Sequence, residues 1–148
     1  MTIFFDSSAL VKLYADEAHH DAVRSLEGPI VVSSLARVEV PSAIWRKHRI
    51  GELSAEEAGT LVLEFEFDWF GDDRHGPRFD EVPAESNVLD EAAVLVASHG
   101  LRAYDAVQLA SALAARRVLA ECTAIAAFDI AQRAAAISEG YALVPRSG

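Results

Sequence analysis

The same pattern opens and closes this chain: a short apolar, β-rich run ends at an aspartate and leads into a helical pattern, as TIFFD at 2–6 and as AIAAFD at 124–129. Strands that alternate with helices need crossover connections, so the sheet they build is parallel and helices cover both of its faces. In such sheets ligands bind at the carboxyl ends of the strands. Asp6 and Asp129 stand at that place in the sequence.

The rest of the chain fits the same alternation. Thr2 to Phe5 reads as a strand, and SALVKLYADE as a helix with Ser7 or Ser8 available as its cap. Helix continues over His19 to Leu26 and stops at Gly28-Pro29, after which Ile30 to Val32 reads as a buried strand. Ser33-Ser34 is expected to cap a helix running to about Ile50. Ser54 with Glu57 makes a capping box for the next helix, which pairs with the previous one as a hairpin and breaks at GDDRHGP. Phe79 to Val82 is a weak strand pattern, Val88 to Ser98 an amphipathic helix closed by Gly100, and Arg102 to Leu119 an alanine-rich helix. The strand AIAAF, the helix IAQRAAAISE with Gly140 as its stop, and a strand Tyr141 to Val144 complete the chain.

Four acidic residues stand in apolar settings: Asp6 and Asp129 after hydrophobic runs, Glu39 in ARVEVPSAIW and Asp105 in YDAVQLASAL on helical patterns. A carboxylate among apolar neighbours is costly to desolvate unless a cation or a donor compensates it. Four such positions imply that the fold gathers them at one site, where they would repel one another and raise each other's proton affinity. A bound divalent cation resolves that conflict.

At 148 residues the chain suits a single domain, 1–148, with no linker, internal repeat or low-complexity segment. Its apolar runs are too short to span a bilayer, and MTIFFD lacks the basic and hydrophobic regions of a secretory signal, so no membrane association is expected. The lone cysteine, Cys122, lies among apolar residues and reads as a buried structural thiol in a reducing, cytoplasmic setting. A net charge of −10 argues against a protein that coats nucleic acid. It leaves room for a nuclease with local positive residues, such as RKHR at 46–49, and it suits a basic protein partner.

Four segments in order, DSSALVKLY, VEVPSAIWR, HGLRAYDAVQLASAL and FDIAQRAAAISEGYALVP, make the chain similar to the PIN domain, and in particular to the VapC-type ribonuclease toxins. The resemblance covers nearly the whole chain. It implies a three-layer α/β/α sandwich around a central parallel sheet, and a magnesium- or manganese-dependent endoribonuclease whose acidic residues are Asp6, Glu39, Asp105 and Asp129. It also implies the toxin half of a toxin–antitoxin pair, dimeric, with RNA as substrate and a small antitoxin as partner. The chemistry agrees: magnesium takes hard oxygen ligands, and a divalent ion activates water and stabilises charge on a scissile phosphate. Relatives of this family often carry Ser or Thr two residues before the last aspartate, where this chain has Ala127, so a hydroxyl is missing there.

Each candidate has a plainer alternative. Asp6, Asp105 and Asp129 could each simply cap a helix, and Glu39 could be an exposed helix residue, although Val38, Val40, Ala43 and Ile44 surround it. Ser8 is a supporting candidate, able to bond a ligand or a water at the metal, with helix capping as the alternative. Arg46, Lys47, His48 and Arg49 suit either RNA phosphates or the dipole at a helix C-terminus. Asp72, Asp73 and His75 read as a solvated turn, and Trp45 and Trp69 as core or interface residues. Two other classes stay open. One is a PIN-like module that binds without cleaving; the other is a phosphotransferase of the haloacid-dehalogenase type, which needs a second aspartate where Ser8 stands.

Overall fold

A computed structural model describes residues 1–147. Five strands, β1 (Thr2–Phe5), β2 (Ile30–Ser33), β3 (Phe79–Val82), β4 (Cys122–Ala126) and β5 (Ala142–Leu143), form one sheet in the order β3-β2-β1-β4-β5. Every neighbouring pair is parallel. Phe5 is opposite Val32 on one side and Ala126 on the other, which brings the carboxyl ends of the three central strands level.

Side chains alternate across the sheet, as a strand with two buried faces requires. Ile3, Phe5, Val32 and Ala126 join one core with α1 (Ser7–Leu10), a 3₁₀ turn (Val11–Leu13), α2 (His20–Arg24), α3 (Ala36–Arg49) and α4 (Ala55–Phe70). Phe4, Val31 and Ile125 join a second core with α5 (Ser86–His99), α6 (Ala103–Val118) and α7 (Ile130–Ser138). The result is the expected α/β/α sandwich. Phe4 and Phe5 are fully enclosed, so truncating either to alanine would cost about 3–5 kcal/mol.

The capping box forms as the sequence predicts: Ser54 Oγ accepts from Glu57 N at 3.0 Å, and Ser54 N donates back to Glu57 Oε1 at 3.2 Å. Gly100 closes α5 in the left-handed conformation, φ 64°, which glycine adopts without strain. Elsewhere the elements differ from expectation. The first helix lasts only four residues before tightening into the 3₁₀ turn, and α2 is a separate short helix. The break lets Lys12 Nζ bond Glu17 Oε1 at 2.7 Å and Tyr14 Oη bond Asp68 Oδ2 at 2.6 Å, tertiary contacts that a continuous helix would lose.

Neither Ser33 nor Ser34 caps α3, whose N-cap is Leu35. Ser33 ends β2, and Ser34 Oγ accepts from Ala84 N at 2.9 Å, tying the end of β2 to the segment that follows β3. Strand β4 begins at Cys122 and ends at Ala126, because its pairing with β1 runs from Thr2 to Phe5; Ala127 and Phe128 therefore lie beyond the sheet. The last strand keeps only Ala142 and Leu143. Among the described residues no helix is long and apolar enough to cross a membrane.

Candidate active site

Asp6 is the first residue beyond β1, and its N–H donates to Ala126 O at 3.0 Å, fixing it between the ends of β1 and β4. Its carboxylate caps α1: Oδ1 accepts from Ala9 N at 3.0 Å and from Ser8 Oγ at 2.6 Å. The cap of the first helix is thus Asp6 and neither serine. Ser8 is a strut, since its hydroxyl also accepts from Phe128 N at 3.2 Å and so joins Asp6 to the chain leaving β4. Ser7 points elsewhere, donating to Glu39 Oε1 at 2.8 Å.

Glu39 sits in the first turn of α3, and Gln108 from α6 donates to the same oxygen at 2.7 Å. Gln108 also donates to Ser7 Oγ at 2.9 Å, so three elements meet on one carboxylate oxygen. Asp105 comes from the first turn of α6, and Asp129 caps α7 by accepting from Gln132 N at 3.1 Å. The buried side chain of Gln132 reaches Asp105 O at 3.0 Å and fastens the start of α6 to α7. Arg102 spans the two aspartates, 3.2 Å from Asp105 Oδ2 and 3.4 Å from Asp129 Oδ1.

All four carboxylates line one cleft of about 370 Å³ at the carboxyl ends of the strands. Burial pushes the Asp6 carboxyl up to about 7; the bonds from Ser8 and Ala9 oppose this, while Asp105 and Glu39 add to it. Asp105 is raised as well, first by burial and then by Asp129, with Arg102 pulling it down. Among the described residues Asp6 forms no ion pair to offset the cost. The surroundings that deny it a cation are those that would make one bind.

One wall of the cleft joins Lys47 and Arg46 of the RKHR run to Lys12, Glu17 and Glu52, to which sequence reasoning gave no role. Lys12 and Lys47 both grip Glu17, at 2.7 and 2.5 Å, and Lys47 also reaches Glu52 at 3.4 Å. In the RKHR run Lys47 is therefore committed to ion pairs, and His48 Nδ1 lies 2.9 Å from Leu53 O. Arg46 lines the cleft. Asp72 forms the solvated turn that the sequence predicts, accepting from Arg74 N and His75 N. Trp69 is buried in the core, and burial raises the Cys122 thiol, as suits a structural role. Gln108 and Arg102 were not singled out from sequence, yet both were findable: a polar residue three positions after Asp105 on an otherwise apolar helix face, and a cation three positions before it.

Among the described residues no three His, Cys, Asp or Glu side chains stand close enough to cage an ion as they are placed. The donor set nevertheless suits magnesium or manganese. It is all oxygen, its four carboxylates line one cleft, and one of them is buried and, among the described residues, ion-paired with no cation, which suits an ion that takes hard oxygen ligands and keeps waters of its own.

The PIN domain family matches residues 3–138 of the chain. The chain is 34% identical over 148 residues to a protein of Mycobacterium tuberculosis named Ribonuclease VapC46, with 98% of each chain covered. Its fold is similar to that of Mycobacterium tuberculosis VapC20, a structure described as a sarcin-ricin loop cleaving toxin, with a TM-score of 0.61 at 17% identity over 90% of this chain and 94% of that one. It is also similar to a chain of a toxin–antitoxin complex from Klebsiella pneumoniae, with a TM-score of 0.53 at 15% identity over 86% of each chain.

Proposed function

Because this chain belongs to the PIN-domain family, and within it to the VapC-type toxins, we propose that it is an endoribonuclease that hydrolyses RNA phosphodiesters with a divalent ion, magnesium or manganese. The observation that carries the reading is Asp6, a buried carboxylate without a cation that Glu39 and Asp105 crowd from the same cleft. Asp6, Asp105 and the free oxygen of Glu39 would hold the ion, with Asp129 as the fourth member. Bound there, it would supply water activation and stabilisation of charge on the scissile phosphate.

The chain's own residues prepare the site. Ser8 and the Ala9 N–H orient Asp6, while Ser7 and Gln108 share one oxygen of Glu39 and leave the other for the cleft. Arg102 holds Asp105 and Asp129, and a divalent ion bound there would take over its neutralising role. Preorganised donors of this kind spare the reaction the cost of reorienting its ligands.

The relatives' names support a toxin paired with an antitoxin. We assign the chain an antitoxin partner with a basic or amphipathic segment, which suits a cleft rich in carboxylates and a net charge of −10. A homodimer acting in the cytoplasm completes the proposal.

The test uses the purified chain and a labelled single-stranded RNA with magnesium, manganese or chelator. Cleavage with either metal, lost on chelation and lost in Asp6→Asn, supports the reading. Cleavage that persists in chelator, or in Asp6→Asn at the parental rate, overturns the metal mechanism. No cleavage under any condition supports a module that binds without cutting.

A further inference from the structure

A second groove, of about 720 Å³, opens directly off the acidic cleft and shares Glu39, Arg46, Arg102 and Asp105 with it. It runs along α3, from Val38 to Arg49, and past the start of α6. Arg46, Arg49 and Arg102 reach into it. Among the described residues Arg46 and Arg49 have neither an ion-pair nor a side-chain hydrogen-bond partner, unlike Lys47 between them, which is fully engaged. Tyr104 is 64% exposed and Val38 70% exposed, and both line the same groove as a flat apolar surface beside the cations.

Resting on the nuclease reading above, we propose that this groove is the track for the unpaired strand next to the scissile phosphate, with Arg46, Arg49 and Arg102 on its phosphates and Tyr104 stacked on a base. The chemistry favours a single strand. An exposed ring beside arginines offers a π-face to an unstacked base, and the cations follow the backbone without reading sequence. A duplex keeps its bases stacked and would leave Tyr104 unused. The location also fits, because at a net charge of −10 phosphate has few places to settle, and here the unpaired cations sit at the mouth of the cleft. Lys47 and His48, candidates from sequence, have no part in the track.

The test is anisotropy of a labelled single-stranded RNA on the full chain in chelator, where binding is read without cleavage, beside the steady-state cleavage of the same RNA with magnesium. Tyr104→Ala should weaken binding about tenfold and Tyr104→Phe should restore it, because the ring and not the hydroxyl stacks. Arg49→Ala should lower the slope of log affinity against log salt by about 0.7, the share of one phosphate contact on a single strand, and raise KM with kcat kept. A duplex of the same sequence should bind more weakly and ignore Tyr104→Ala. The proposal is overturned if the parent fails to hold the strand, if both variants bind as the parent does, or if Tyr104→Ala changes only the oligomeric state, which would make this face a contact between copies. Parental cleavage with unchanged variants defeats the track alone; a parent that never cleaves defeats the nuclease reading.

Discussion

Gln108 on α6 donates to Glu39 Oε1 on α3 at 2.7 Å, and its own carbonyl oxygen is buried with no partner among the described residues. The amide thus serves the glutamate at some cost to itself. Losing a hydrogen bond to a charged group costs about 1.5–3 kcal/mol, and a domain of this size loses roughly 2–4 °C of melting temperature per kcal/mol. Gln108→Leu should lower the melting temperature by about 3–12 °C and reduce kcat/KM for RNA, because Glu39 then keeps only Ser7 to orient it. Differential scanning fluorimetry with cleavage kinetics reads both. A variant with parental kcat/KM would show that Glu39 needs no help from α6.

Asp6 gives the metal-free protein a specific pH dependence. Its folded value is about 7 against an ordinary 3.8, so the folded chain binds this proton more tightly than the unfolded chain does. The penalty is absent below the ordinary value, grows as pH rises between the two and is complete above about 7, where its upper bound is roughly 4 kcal/mol. Asp6→Asn keeps the cap on Ala9 N and removes the charge. In chelator it should be more stable than the parent at pH 8 by about 1–4 kcal/mol, with the difference shrinking towards pH 5. Urea unfolding at the two pH values decides it.

Much of this was legible in the sequence, and for identifiable reasons. Strands β1 and β2 show as apolar, β-branched or aromatic runs bounded by turn residues, β3 only weakly because Asp80 and Glu81 interrupt it, and α4 shows as a capping box followed by helical spacing. The four carboxylates stand out because charge in an apolar run has few explanations. The broken first helix was not legible, since Lys12, Tyr14 and Glu17 keep helical spacing and only their tertiary partners Lys47 and Asp68 pull them out of it. The end of β4 was hidden for a related reason: Ala127 and Phe128 continue the apolar run, but β1 offers no residue beyond Phe5 to pair with them. Ser8 and Ser34 resemble caps in sequence and serve as struts between distant segments, which spacing alone cannot reveal.

Asp129 both caps α7 and faces the cleft, and the two roles are separable. Asp129→Ser keeps a capping oxygen, whereas Asp129→Ala also loses the cap, worth about 1 kcal/mol. With Ala127 supplying no hydroxyl nearby, both variants should lose less activity than Asp6→Ala, and only the alanine variant should melt lower. Activity in Asp129→Ser as low as in Asp6→Ala would show that the fourth carboxylate is fully engaged.

Arg102 occupies one oxygen of Asp105 and one of Asp129, the carboxylates proposed to hold the metal. Arg102→Gln should therefore bind manganese more tightly in isothermal titration, severalfold at low ionic strength, while holding single-stranded RNA less well. Unchanged manganese affinity would mean that the guanidinium does not compete for those oxygens.

The central claim is that the carboxylates of this cleft form one divalent-metal site, and a manganese titration followed by thermal melting tests it most directly. The parent should gain about 5–10 °C as manganese rises to a hundredfold excess over its Kd, while Asp6→Asn and Asp105→Asn start no lower than the parent in chelator and gain little. Variants that melt below the parent without metal, together with a parent that ignores manganese, would contradict a shared metal site.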